Sequence, residues 1–429
     1  MRKIYKILLK QNIGIVDNPI VSVGQRVKKG TLIAKANGLG ADLHSSVSGK
    51  ITEITDSFII IDADAIQGRD FETIKELDNI VEIVKSAGII GMGGAGFPTH
   101  IKLDTDLKGG TVIANAVECE PLLEHNIKQI IKDPQSIYRG MLYAMKATNA
   151  NKGILAIKKK NKDAIEAFKK VIESEHNIKI IELEDIYPMG EERAVIRETL
   201  GVLLETDQLP LEAGAVVLNA ETLGRITQAV ELGKPVISKN ITVVGKLKDE
   251  KQAHVFMDVP LGTTVKELLE RAGGIDGNYG EIIMGGPFTG HSVELDDVIT
   301  KTSGAIIVTM EFMNEKRNMG LLVCACGGNE DRLREIAGKM NAKVVGVEKC
   351  KQAIESKGTL KCKNPGNCPG QAEKILSLKK RGAEVVLISN CSDCTNTVMC
   401  VAPKLKMPVY HCTDHVMRTV NHSLIRRLK

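Results

Sequence analysis

The stretch Gly91-Met92-Gly93-Gly94-Ala95-Gly96-Phe97-Pro98-Thr99-His100, inside SAGIIGMGGAGFPTHIKL (86–103), puts four glycines into six residues. Glycine loses more backbone freedom on folding than any other residue, so such a run asks for a tight turn or for bare backbone close to a ligand. Spacing excludes two familiar phosphate loops. No Gly-Lys-Ser/Thr follows, as a Walker A loop requires. A dinucleotide Gly-x-Gly-x-x-Gly should follow a strand and open a helix, whereas this run follows a helical pattern.

Outward from the run, residues 72–240 alternate helix-like and strand-like segments. TIKELDNIVEIVKSAG (73–88) has helical apolar spacing at Ile74, Leu77, Val81 and Val84 and ends at Gly88. GTVIANAV (110–117), GILAIKKK (153–160) and IKIIELE (178–184) read as strands. HNIKQIIKDPQSIYRGMLYAMKATNA (125–150), broken near Pro134, and KDAIEAFKKVIESE (162–175) read as helices. Such alternation predicts a largely parallel α/β sheet, whose ligands bind beyond the carboxyl ends of the strands. Three polar stretches fall there or at helix starts: Asn115, Glu118 and Glu120 in NAVECEP; Gly190, Glu191 and Glu192 in YPMGEERAVIRETLG; Asn219, Glu221 and Thr222 in LNAETLGRI. Each alone would pass as a cap or a solvated acid.

Around this domain the pattern changes. Residues 1–70 alternate Val, Ile and Leu with polar residues between glycine turns, and resemble the barrel-sandwich hybrid of biotinyl and lipoyl carriers. Where those present a modified lysine this chain has Gly38-Leu39-Gly40, so a docking barrel is expected rather than a swinging arm. Residues 241–309 read as a small α+β unit similar to a soluble-ligand-binding β-grasp (SLBB) module. Residues 318–429 form another α/β pattern, rich in cysteine. The expected fold class is thus multidomain α/β.

Composition narrows the function. The 429 residues carry a net charge of only +5 and 3% aromatics, a poor footprint for nucleic acid. No long uncharged apolar run and no signal-peptide pattern is read, so a cytoplasmic protein is expected. Of ten cysteines only Cys119 precedes residue 320; the rest lie between Cys324 and Cys412. In a reducing compartment such a cluster points to redox thiols or metal ligands.

Together GxGGAGFPT, N-A-x-E-x-E-P, G-E-E and N-x-E-T-L resemble the flavin-binding subunit of respiratory complex I and, more closely, the C subunit of Rnf electron-transport complexes. The resemblance spans about residues 1–310, including MGGPFTG (284–290) and TSGAIIV (302–308). It implies FMN as cofactor and NADH as electron donor. By it, the backbone of Gly91, Gly93, Gly94 and Gly96 approaches the flavin and the nicotinamide nucleotide, and Lys102 reaches FMN. Asn115, Glu118 and Asn219 hydrogen-bond the flavin or its ribityl chain, with Thr222 in the same set. Gly190, Glu191 and Glu192 line the cleft, while Glu120 and Phe97 face the nicotinamide nucleotide. Met92 stands where complex I relatives have Arg, and Cys119 where they have a small residue.

The Rnf protein continues into two C-x2-C-x2-C-x3-C-P ferredoxin runs, which are absent here, arguing against an iron–sulfur outlet. Four predicted strands instead bring Cys324, Cys326, Cys350, Cys391, Cys394 and Cys412 to one sheet edge. Cys324-Ala325-Cys326 and the C-x-x-C of Cys391 and Cys394 are the expected redox thiols, with no metal site assigned; Cys350, Cys362 and Cys400 read as small buried hydrophobes. This tail is similar to electron-transfer proteins associated with D-proline reductase, which implies a partner reductase as electron acceptor.

Overall fold

The computed structural model describes residues 3–249, 253–356, 358–389 and 398–426. Strands Lys3–Leu8, Phe58–Ala63, Gly49–Ile54 and Arg26–Val27 form an antiparallel sheet, faced by a three-stranded one of Asn18–Pro19, Leu32–Lys35 and Leu43–His44. Alternation along Gly49–Ile54 sends Ile51 inward to full burial, where it meets Ile7 and Ile61.

The expected helix over 73–88 starts late, at Ile80, and ends at Ser86. The Asn79 side chain accepts from the Val81 amide at 2.8 Å and caps it. The preceding residues are drawn out as a strap. Glu72 N–H donates to Lys29 O at 2.7 Å and Ile74 N–H to Gly233 O at 2.9 Å, tying the barrel to the next domain.

Parallel strands Ile178–Leu183, Lys152–Lys158, Thr111–Ala116 and Ala215–Asn219 form the central sheet in that spatial order. The chain runs outward from Thr111–Ala116 through the next two strands, then returns to place Ala215–Asn219 on its other side. The sheet therefore has a topological switch point between Thr111–Ala116 and Ala215–Asn219. Helices His125–Lys132 and Pro134–Ala147 break at Asp133, next to Pro134, as predicted.

Strands His254–Pro260, Ser238–Gly245, Ala305–Val308, Ile282–Met284 and His291–Val293 form, in that order, a mixed sheet accompanied by helix Val265–Arg271. The last sheet is parallel: Lys343–Lys349, Asn318–Val323, Val385–Ile388, Val409–His411. Its order puts a second switch point between Asn318–Val323 and Val385–Ile388. A hairpin that the sequence pattern did not announce, Ala353–Ser356 with Thr359–Cys362, follows the second strand. The expected basic terminal helix is shorter, Asp414–Thr419, and Asn421 in the left-handed region (φ +52°) closes it. Cys391 and Cys394 lie outside the described residues.

Candidate functional site

The first switch point opens into a cleft of about 490 Å³, within the range for small-molecule sites. Strand register sets Asn115 beside Asn219 at its floor. Gly93, Glu118, Glu120, Gly190, Glu191 and Glu192 line it with them. The opposite wall comes from the second switch point, through Ala325 and Cys326, and from Leu360, Lys361 and Cys362 of the hairpin. Two sheets far apart in sequence thus direct their carboxyl ends into one space.

The glycine run forms a closed loop on this floor. Gly91 N–H donates to Phe97 O at 2.8 Å and Gly96 N–H to Gly91 O at 3.1 Å. Thr222, fully buried, accepts from Met92 N–H at 2.9 Å and donates to Ile90 O at 3.3 Å. It therefore anchors the loop and does not line the cleft. The Met92 side chain is buried in the core and stays out of the cleft lining. A Cβ on Gly93 would come within 2.9 Å of the Asn219 amide, whereas Gly94 (φ +98°) has open space around it. Gly91, Gly94, Gly96, Phe97 and Lys102 are outside the residues lining the cleft.

The Gly-Glu-Glu turn is pinned to the strand end. Asn115 Nδ2 donates to Gly190 O at 2.9 Å, and Gly190 N–H donates to Cys119 Sγ at 2.7 Å. Burial pushes the Cys119 thiol up to about 12, so it packs as a neutral group. Glu191 caps helix Glu192–Leu200, accepting from the amides of Arg193 at 2.9 Å and Ala194 at 3.1 Å. Asn219 likewise caps Ala220–Leu232 through the Glu221 amide at 2.8 Å. Lys102 donates to Glu192 at 2.5 Å and to Val217 O at 3.2 Å, under the sheet edge.

The two acids of NAVECEP differ in surroundings. Glu118 accepts from the Glu120 amide at 3.2 Å and from Asn126 Nδ2 at 3.1 Å, and burial raises its pKa. Glu120 is held by the MGGPFTG loop: Phe288 N–H at 2.8 Å, Thr289 N–H at 2.9 Å and Thr289 Oγ1 at 2.6 Å. Burial lifts it to about 7, with Glu118 adding to the rise and those donors opposing it. Behind them the Tyr187 and Phe288 rings stack with centroids 3.6 Å apart at 6°, and the Tyr187 hydroxyl donates to Cys326 O.

Whether these residues fit FMN is tested by the polar atoms they leave over. Asn126 Oδ1 and Arg193 Nη1 are buried without a partner among the described residues, and both residues line the cleft. Unsatisfied buried groups cost about 1–3 kcal/mol each, more for a charge. A ligand bearing N–H, carbonyl and phosphate groups satisfies both, so the cleft fits. Neither residue was found from sequence; Arg193 directly follows the Gly-Glu-Glu motif. A larger cleft of about 620 Å³ backs onto the Glu118–Glu120 wall. Its cations are already paired, Lys158 and Lys160 with Asp185 at 2.7 and 2.6 Å and Lys162 with Glu182 at 3.0 Å.

At the thiol edge, Cys326 is half-buried in the cleft wall, and Cys324 is 3% exposed with its amide donating to Ser389 Oγ at 3.0 Å. Cys412 is buried, raised to about 12 by burial, and lies apart from the cleft lining. Cys400 is exposed, against the reading of it as buried. Among the described residues no group of three or more His, Cys, Asp or Glu has metal-holding geometry. No described helix is long and apolar enough to cross a membrane.

Residues 84–228 match the Nuo51 FMN-binding domain and residues 1–67 the RnfC barrel sandwich hybrid domain. The C subunit of the proton-translocating ferredoxin:NAD(+) oxidoreductase complex of Clostridium ljungdahlii is 32% identical, over 74% of this chain and 73% of the relative. The C subunit of the Na(+)-translocating complex of Acetobacterium woodii is 30% identical, over 70% and 72%. The cobalamin reductase PduS of Citrobacter freundii is 36% identical over 55% of this chain and 51% of its own. The chain belongs to the RnfC-like family, that of the C subunits of the ferredoxin:NAD(+) oxidoreductase complexes.

Proposed function

We propose that this protein is a cytoplasmic, FMN-dependent electron-transfer protein that takes electrons from NADH and delivers them in pairs, through cysteine thiols, to a partner reductase of the D-proline reductase kind. One observation carries the reading: Asn115, Gly190, Glu192 and Asn219 of the flavin-type domain share a single cleft with Cys326 and Cys362 of the C-terminal module. In this reading residues 1–70 dock, 72–240 bind FMN and NADH, 241–309 form an SLBB-like β-grasp, and 318–429 form the thiol-redox module.

FMN, when bound, supplies hydride acceptance and two-electron donation. The chain's own residues bind and orient it. Gly93 keeps the loop backbone bare, and Arg193 Nη1 and Asn126 Oδ1 offer the unpaired donor and acceptor. Glu120, near neutral in pKa, is able to hold a proton at the wall of the site around pH 7. The Tyr187–Phe288 stack closes the back of the cleft against water. A flavin and a dithiol both exchange two electrons, so no one-electron cluster is needed between them. Relatives named for ferredoxin:NAD(+) and for cobalamin suggest that acceptor choice varies around a common flavin core.

The test is anaerobic addition of FMN to the purified chain, followed by NADH. Stoichiometric quenching of flavin fluorescence and bleaching of its visible band by NADH are expected. A chain that leaves FMN free in solution overturns the reading.

A further inference from the structure

The strand register brings together two thiols that sequence spacing keeps apart. In the parallel pair Asn318–Val323 and Lys343–Lys349, Val323 is opposite Lys349, so Cys324 and Cys350 are the next residues in register. The Cys350 amide donates to Val323 O at 2.8 Å, continuing the ladder past both strands. Adjacent strands lie about 4.8 Å apart, inside the Cα separation that a disulfide spans. Gln371, fully buried, donates from Nε2 to Cys350 Sγ at 3.1 Å and reaches Cys368 Sγ at 3.6 Å.

These contacts favour the thiolate of Cys350. Hydrogen bonding with the Cys324 side chain, helped by the Gln352 amide and by Gln371 and opposed by burial, brings the Cys350 pKa down to about 7. A thiol whose pKa lies near ambient pH is the best attacking group in disulfide exchange. Cys326, by contrast, lines the flavin cleft with its carbonyl tied to the Tyr187 hydroxyl.

We propose that Cys324 and Cys350, rather than the neighbours Cys324 and Cys326, form a reversible dithiol–disulfide pair with Cys350 as the attacking sulfur. The co-reactant is a disulfide, R–S–S–R. The Cys350 thiolate attacks one sulfur, forming a Cys350–S–S–R bond and releasing one RS−. Cys324 gives up its proton and attacks Cys350 Sγ, forming the Cys324–Cys350 bond and expelling the second RS−. The protein dithiol loses two electrons and two protons, and the partner leaves as two RSH. The pair rests on the proposed function only for the source of electrons that returns it to the dithiol.

The test uses the full chain without FMN, so its result stands apart from flavin binding. The reduced protein is treated with 2-hydroxyethyl disulfide, remaining thiols are blocked with N-ethylmaleimide, and the chain is cut after glutamate. Cys324 and Cys326 then share peptide 316–330, Cys350 sits on 349–355, and Cys362 and Cys368 on 356–373. The expected product joins 316–330 to 349–355 and carries one maleimide, on Cys326. Cys326→Ser keeps this link, and Cys324→Ala slows Cys350 alkylation at pH 7 about tenfold. A bond within 316–330, a link from Cys350 to 356–373, or Cys350 found blocked by maleimide overturns the proposal.

Discussion

Replacing Gly190 by alanine adds one methyl group where the Gly-Glu-Glu turn meets the strand end. That Cβ would stand 2.1 Å from Val117 O and 2.9 Å from Cys119 Sγ, where contacts under 3.0 Å are essentially never seen. Gly190 is not among the residues with positive φ, so the cost is steric rather than conformational. The turn must retreat by about 1 Å, at the ~1–3 kcal/mol typical of overpacking. The retreat lengthens the Asn115–Gly190 bond of 2.9 Å and the Gly190–Cys119 bond of 2.7 Å. It also carries Glu191, Glu192 and Arg193 away from the cleft floor. Misplacement on that scale lowers FMN affinity about 10–100-fold, readable by fluorescence titration. Gly201→Ala is the control. Nothing lies within 4 Å of its Cβ, but φ is +72°, so it costs ~1 kcal/mol of stability and leaves FMN affinity unchanged. A Gly190→Ala protein that binds FMN within about twofold of wild type refutes the packing argument.

Arg193→Met should lower FMN affinity about 10–100-fold, the worth of a charge-assisted hydrogen bond, while costing FMN-free protein only the partly exposed Arg193 Nε–Glu191 pair at 2.9 Å, about 1 kcal/mol. The buried Nη1 itself has no partner to lose there, so a large fall in the midpoint with FMN affinity unchanged would mark a structural role instead. Glu281 is 2% exposed at its side chain and pairs with Arg332 and Lys339, while His415 Nε2 lies 2.7 Å away. Glu281→Gln should cost about 3–5 kcal/mol and expose the 309–317 segment to limited proteolysis. These partners outweigh burial and hold the Glu281 carboxyl far below 4.5, so its contribution is present above pH 4.5 and fades as pH falls below it. Glu120 has the opposite sign. Its folded pKa of about 7 lies above the ordinary 4.5, so its contribution is full below pH 4.5 and is lost as pH rises through 7. Urea midpoints across that window should decline in wild type and flatten in Glu120→Gln.

Much of the site was legible because its residues act through backbone geometry that fixed motifs encode. Asn115, Gly190, Glu192 and Asn219 line one cleft because strand ends and helix starts put them there. Thr222 carries the motif but serves the loop from beneath, a distinction that depends on which way a helix face turns. The late start at Ile80 was hidden because apolar spacing at Ile74 and Leu77 also suits a strap packed on a neighbouring domain. Cys350 reads from sequence as a small buried hydrophobe at the same sheet edge as Cys324, and it is buried; only the register of adjacent parallel strands makes it the direct neighbour of Cys324. Arg193 lacked any signal beyond its adjacency to Glu192, since its unpaired nitrogen exists only in the packed cleft.

The most direct test of electron flow from cleft to thiols is an anaerobic NADH titration of the FMN-loaded chain after oxidation by 2-hydroxyethyl disulfide. The account predicts one equivalent of NADH for the flavin and one for the Cys324–Cys350 disulfide, so that Cys350→Ser takes up about one equivalent fewer than the wild-type chain. Consumption of a single equivalent by the oxidised wild-type chain would contradict it.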